Sequence, residues 1–152
     1  MGSRERVAEY LARSGVAVET KEFDETTKSS ELAARALGCT VPEIAKSVVF
    51  VGPRTVVVII SGDKRVDPAK LAREFGGEFR VARPDEVRGR TGYPIGGVPP
   101  FPHSPDVTVV ADASLGRFAQ VWAAGGTPNA VFRIGTSDLV GLLGRAPLDL
   151  AA

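Results

Sequence analysis

Lys46 stands where an ammonium is costly to bury without a partner. It follows residues 41–45, which read as a short helix with Thr40 as N-cap and Pro42 in its first turn. It precedes Ser47 and the β-forming run Val48, Val49, Phe50, Val51. Two arrangements would relieve the charge. The side chain can reach solvent or the helix's last carbonyls, or it can stand at a pocket mouth and hold a phosphate or an oxyanion. A second stretch bears on the same chemistry. Residues 92–103 hold three glycines and four prolines among Tyr93, Ile95, Val98 and Phe101. The prolines argue against helix and central strand, and the apolar content against a solvated linker. Gly96-Gly97 permits positive φ and close approach, so the loop reads as a stiff binding-site floor with exposed peptide N–H groups. Gly125-Gly126 is either an ordinary turn or a second set of such donors. Asn129 is either a turn residue before a strand or a side-chain donor. His103, the single histidine, is either a general base or ligand contact, or an exposed loop residue.

Other chemistries lack their signatures. There is no G-x-S-x-G, H-E-x-x-H or P-loop pattern. Cys39 is the only cysteine, which excludes an internal disulfide and, without clustered histidines, a structural zinc site. No metal or cofactor is expected. Net charge is +1, too small for the basic field of a general nucleic-acid binder, although Arg83, Arg88 and Arg90 precede the glycine-proline loop and are placed to track a phosphate backbone. The charged N-terminus is no signal peptide, and the apolar run at 56–60 is too short to span a bilayer. A cytoplasmic protein without membrane contact is expected, as one domain over residues 1–152.

The elements that must position these groups follow from periodicity and punctuation. Residues 4–14 carry an amphipathic helical stripe ended by Gly15, and 16–23 alternate as a half-buried strand. Residues 31–37 read as a helix capped by Ser29 or Ser30, and 67–75 as one capped by Asp67 with Pro68 at its first position. The runs 48–51 and 55–60 form a hairpin across Gly52-Pro53-Arg54. Strands are further expected at 79–82, 107–111, 118–124 and 130–134, a short polar helix or turn at 84–90, and a last helix at 136–143 capped by the Thr136-Ser137-Asp138 segment. Asp112 reads as a cap. The sum, about seven strands and five helices with strands often consecutive, predicts an α+β (mixed α/β) domain with a curved mixed sheet and surrounding helices.

With these residues in view, the chain resembles the YbaK/EbsC family of aminoacyl-tRNA deacylases, related to the editing domain of bacterial prolyl-tRNA synthetases. The segment Ile44-Ala45-Lys46-Ser47-Val48-Val49 is similar to the family's lysine followed by Thr or Ser. Thr91-Gly92-Tyr93 with Gly96-Gly97-Val98-Pro99-Pro100 is similar to its T-G-Y…G-G-x-S-P signature and G-x-x-x-P core. Val109 to Asp112, the strands around the glycine turn, and the closing helix match in order. The resemblance implies a trans-editing hydrolase that cleaves the ester of a tRNA misacylated with a small amino acid such as Ala, Cys or Ser. Lys46 would orient the terminal ribose or phosphate. The loop at Gly96, Gly97 and Pro100 would hold the carbonyl, and Ser47, His103, Gly125 and Asn129 would contact substrate. Water or substrate groups would do the work of a protein nucleophile. Partners would be the aminoacyl-tRNA 3′ end and a synthetase. The alternative is a catalytically silent tRNA- or synthetase-binding module of the same fold. Pro99 replaces the signature serine and Ala124 a serine of some members, so a specificity for cysteine is not carried over.

Overall fold

The computed structural model describes residues 2–24, 27 and 29–152. Its central strand, β3 (Thr55–Ser61), has every side chain from 56 to 60 fully buried. A strand buried on both faces demands a layer on each side. β2 (Ile44–Val51) pairs antiparallel with β3 along one edge, and β5 (Val107–Ala111) pairs parallel along the other. Beyond β2 lie β6 (Gln120–Ala124), β7 (Ala130–Gly135) and β1 (Val18–Glu22), giving the order β1-β7-β6-β2-β3-β5. The two-residue β4 (Arg80–Val81) pairs with the far end of β2. This is the expected mixed α/β fold, with a seven-stranded open mixed sheet.

Alternation along β3 supplies both cores. Val57 and Ile59 face α1 (Ser3–Ser14), α5 (Thr136–Leu143) and the 92–103 loop, meeting Leu11, Leu139, Tyr93 and Phe101. Val56, Val58 and Ile60 face α3 (Pro68–Phe75), meeting Leu71, Phe79 and Leu150. Full burial of one such side chain is worth about 1.5–3 kcal/mol. A third cluster sets Ala33 and Ala34 of α2 (Ser30–Leu37) on Ile44, Trp122 and Val131. The Ser29 hydroxyl accepts the Leu32 N–H at 3.1 Å to start α2, and Asp67 accepts the Ala69 N–H at 2.9 Å to start α3. α4 (Pro84–Thr91) delivers the chain to the glycine-proline loop. Among the described residues, no helix is long and apolar enough to cross a membrane.

Some boundaries differ from the sequence expectation. The helix expected at 41–45 is a single 3-10 turn, Val41–Glu43, closed when the Thr40 N–H and hydroxyl both donate to the Glu43 carboxylate at 2.9 and 2.8 Å. Ile44 and Ala45 instead open β2, where Ala45 pairs with Ser61 and Ala123. Lys46 is therefore a strand residue rather than a junction residue. α5 also begins differently. The Thr136 hydroxyl donates to the Phe118 carbonyl at 2.6 Å, fastening the helix to the start of β6 instead of capping it. Asp112 caps the 3-10 turn Ala113–Arg117 through the Ser114 N–H at 2.8 Å and also receives the Leu150 N–H at 2.7 Å.

One feature of the pairing decides where a site can form. β2 and β6 run parallel but pair only at Ile44 with Trp122 and Ala45 with Ala123, whereas β4 takes up Phe50 and Val51. Among the described residues, 46–48 of β2 thus have no strand on that edge.

Candidate functional site

The gap beside Lys46 opens onto a cavity of about 300 Å³. Its walls are residues 44–47 of β2, residues 122–124 of β6, Ser29, Ser30 and Glu31 at the start of α2, and Ile95, Gly96 and Val98 of the loop. A strand alternates its side chains, so Lys46 shares a face with Ile44 and Val48 while Ser47 points the other way. Both reach the cavity because it occupies the sheet edge that β6 leaves open. The lining combines Trp122, Val131 and Ala33 with a polar rim, and so suits a small ligand with one apolar and one charged end.

Lys46 Nζ donates to the Gly62 carbonyl at 3.3 Å and, among the described residues, pairs with no carboxylate. Burial pushes the ammonium below the usual lysine range; the negative charges of Glu31 and Asp63 oppose that shift, and Arg65 adds to it. The Gly62 carbonyl is itself held in place. Its peptide N–H donates to the Ile44 carbonyl at 2.8 Å, and a Cβ there would lie 2.4 Å from the Val41 oxygen. The adjacent Asp63 receives both terminal nitrogens of Arg117, at 2.7 and 3.2 Å, which holds its carboxyl below the usual range. The Ser47 hydroxyl is shielded from solvent and, among the described residues, has no hydrogen-bond partner. Leaving such a group unmatched costs about 1–3 kcal/mol, and Ser47 is among the residues that line the cavity.

The loop contributes backbone. Residues 94–97 form a tight turn in which the Gly97 N–H donates to the Pro94 carbonyl at 2.9 Å and Gly96 takes φ of 82°. That is the geometry of a type II turn, which needs a positive φ at its third residue. The Gly97 N–H is therefore occupied, while the Gly96 and Val98 N–H groups engage no acceptor among the described residues. Gly97 has another role: a Cβ there would lie 2.8 Å from the Thr127 Cα, so the two glycine-rich segments touch, backbone on backbone. Tyr93 anchors the loop. It is 1% exposed, its hydroxyl donates to the Pro102 carbonyl at 2.8 Å, and the Arg6 guanidinium lies 4.7 Å above its ring.

The remaining expected site residues lie elsewhere. Pro100 has no peptide N–H to offer, and with His103 it lines a different depression beside α5. His103 Nε2 donates to the Pro99 carbonyl at 2.7 Å, and burial pushes the imidazole below its usual range. Gly125 closes the β6–β7 turn, its N–H donating to the Ala130 carbonyl at 2.8 Å, and lines a depression under α1. Asn129 fastens β1: its amide donates to the Phe23 carbonyl at 2.8 Å and its own carbonyl accepts the Phe23 N–H at 2.9 Å. Cys39 is half-buried in the cluster beneath α2, and burial raises its thiol above the ordinary range, which is not the setting of an activated nucleophile. Sequence reasoning passed over Glu31 and Trp122. Glu31 read only as part of a helix start, and Trp122 only as a strand residue.

A family model described as the aminoacyl-tRNA editing domain matches residues 24–142. The uncharacterized protein YwhH of Bacillus subtilis (strain 168) is 35% identical over 120 residues, which cover 78% of this chain and 76% of YwhH. The multifunctional Ser/Thr-tRNA deacylase ProXp-y of Escherichia coli (strain K12) is 38% identical over 61 residues, 40% of this chain and 36% of that protein. Among solved structures, that of a candidate trans-editing enzyme for prolyl tRNA synthetase aligns over 100% of this chain and 98% of its own, with a TM-score of 0.89 at 39% identity.

Proposed function

The chain belongs to the aminoacyl-tRNA editing domain family, and we propose that it is a trans-editing hydrolase, working in the cytoplasm on tRNA misacylated with a small amino acid such as Ala, Cys or Ser. The observation that carries this reading is the shared cavity. Lys46, Gly96 and Val98 line the same 300 Å³ space, and among the described residues the Lys46 ammonium has no carboxylate partner and the Gly96 and Val98 peptide N–H groups have no acceptor. In the reaction, water adds to the ester carbonyl carbon and the carbonyl oxygen takes up negative charge. The carbon–oxygen bond to the ribose then breaks, and the departing ribose oxygen leaves with the proton given up by the water. Lys46 orients the terminal ribose or phosphate and stabilises charge. The Gly96 turn faces the oxyanion, and Ser47 lies against the aminoacyl group. His103 and Ser47 line different depressions, so the mechanism uses water rather than a serine–histidine pair. Selectivity comes from size, since a small cavity excludes a larger cognate residue.

The test is a deacylation panel of Ala-, Ser-, Cys- and Pro-tRNA against a no-enzyme control, repeated with Lys46→Ala. Single-turnover rates of the variant are expected to fall about 10²-fold, the scale for loss of one oxyanion-stabilising group. Wild-type rates in that variant would remove Lys46 from the mechanism. Pro99, standing where the family signature has serine, favours a second reading, a silent module that binds tRNA or a synthetase. Binding of the panel without turnover on any member would select it.

A further inference from the structure

The proposed substrate brings a difficulty of its own. An aminoacyl ester carries an α-ammonium two bonds from its carbonyl carbon, so holding that carbonyl near Lys46 brings two cations into one small space. Like charges at close range disfavour each other strongly where water is excluded. Something in the cavity must offset this. Among the described residues lining it, the only carboxylate is Glu31. Glu31 sits in the first turn of α2, directly after Ser29 and Ser30. It attracts Lys46 across the cavity without forming an ion pair, and no ion pair or side-chain hydrogen bond engages it among the described residues. Glu31 lines the cavity together with Gly96, and Trp122 and Ala33, which belong to one apolar cluster, supply its apolar lining.

We infer that Glu31 is the specificity-determining residue that receives the substrate's α-ammonium, orienting the aminoacyl group so that its carbonyl meets Gly96 and its side chain lies on the apolar lining. The site is then selective for free aminoacyl groups over N-blocked or des-amino acyl groups on the same nucleoside. This rests on the editing reading of the cavity, yet it concerns binding and can be tested without turnover.

The probes are 3′-aminoacylamino-3′-deoxyadenosines bearing alanyl, seryl or threonyl groups, whose amide resists hydrolysis, and their acyl counterparts lacking the amine. Calorimetric titration of the wild-type protein is expected to favour the best aminoacyl probe over its des-amino partner by roughly tenfold, the scale of one charge-assisted hydrogen bond. Glu31→Gln should bring the two within about twofold, and Glu31→Asp should restore part of the preference. Preference surviving in Glu31→Gln, or absent in the wild type, overturns the assignment. Thermal melting of Glu31→Gln checks the fold, which an exposed side chain in the first turn of α2 should leave unchanged. A wild-type preference lost in Glu31→Gln, found with no deacylation of any charged tRNA, would uphold Glu31 and remove the hydrolase reading instead.

Discussion

Two glycine-rich segments touch backbone on backbone, at Gly97 and Thr127, and behave differently. In the first, residues 92–103, a turn with Gly96 at φ of 82° leaves the Gly96 and Val98 peptide N–H groups with no acceptor among the described residues. In the second, residues 125–129, the glycines exist for neighbours. Gly126 takes φ of 104° with Ser3 of α1 so close that a Cβ would lie 2.6 Å from its oxygen, and Gly125 closes the strand turn. Asn129 and Thr27 then tie this turn to the segment after β1, with the Thr27 hydroxyl donating to the Pro128 carbonyl at 2.8 Å. The second segment is a buttress and the first is a presenting surface. Glycine content alone does not separate them; what separates them is whether the backbone donors find acceptors inside the fold.

The sharpest way to break this distinction is Gly126→Ala. A side chain at that φ is strained by about 1–3 kcal/mol, and the contact with Ser3 adds overpacking of similar size. Urea unfolding should show a loss of roughly 2–5 kcal/mol, with the single-turnover rate per folded molecule unchanged. A normal melting curve with collapsed activity would mean that the buttress touches substrate after all. Gly97→Ala acts in the opposite sense. Its Cβ would lie 2.8 Å from the Thr127 backbone, pushing the presenting loop off its support. Displacement of reacting groups on that scale costs about 10²-fold in rate. Gly125→Ala is its control, because there the nearest atoms of Ala130 stand at 3.3 Å. That variant should keep deacylation within about twofold. Equal losses in the two variants would erase the difference between the segments.

The sequence made the presenting loop legible because glycine, proline and aromatic residues carry their constraints locally, and the same holds for the caps at Ser29 and Asp67. The setting of Lys46 was less legible. Pro42 and Thr40 do start a helical turn, but pairing of Ala45 with Ser61 and Ala123, residues far along the chain, ends it after Glu43. Non-local pairing also hid the cavity. It exists because β6 stops pairing with β2 after Ala45, and nothing in either strand's own pattern announces that. Glu31 and Trp122, 91 positions apart, line one cavity only through this topology. Asn129 and Gly125 show the converse. Residue types suited to a site served a strand turn, because the acceptors that claim them, at Phe23 and Ala130, are fixed by the fold.

The smallest expected effect divides the presenting loop itself. Ile95, Gly96 and Val98 border the cavity, whereas Pro100 to His103 line a different depression and hold the loop down. The His103 Nε2 is committed to the Pro99 carbonyl, its Nδ1 is buried with no partner among the described residues, and Tyr93 meets its ring edge-on; burial lowers its pKa, the Pro99 hydrogen bond opposes that shift and the Arg6 charge adds to it. The folded pKa thus lies below the ordinary imidazole value of about 6.5. As pH falls through 6.5 toward the folded value, the unfolded chain takes up a proton that the folded chain refuses. Stability therefore declines in that window, by at most about 1.4 kcal/mol per pH unit for one such group. Urea unfolding between pH 7.5 and pH 5 should show the slope, and His103→Gln, which keeps a donor for the Pro99 carbonyl, should flatten it. If the deacylation rate of His103→Gln at neutral pH fell as far as that of Lys46→Ala, the imidazole would have to reach the substrate. The loop would then present chemistry along its whole length rather than at its glycine turn alone.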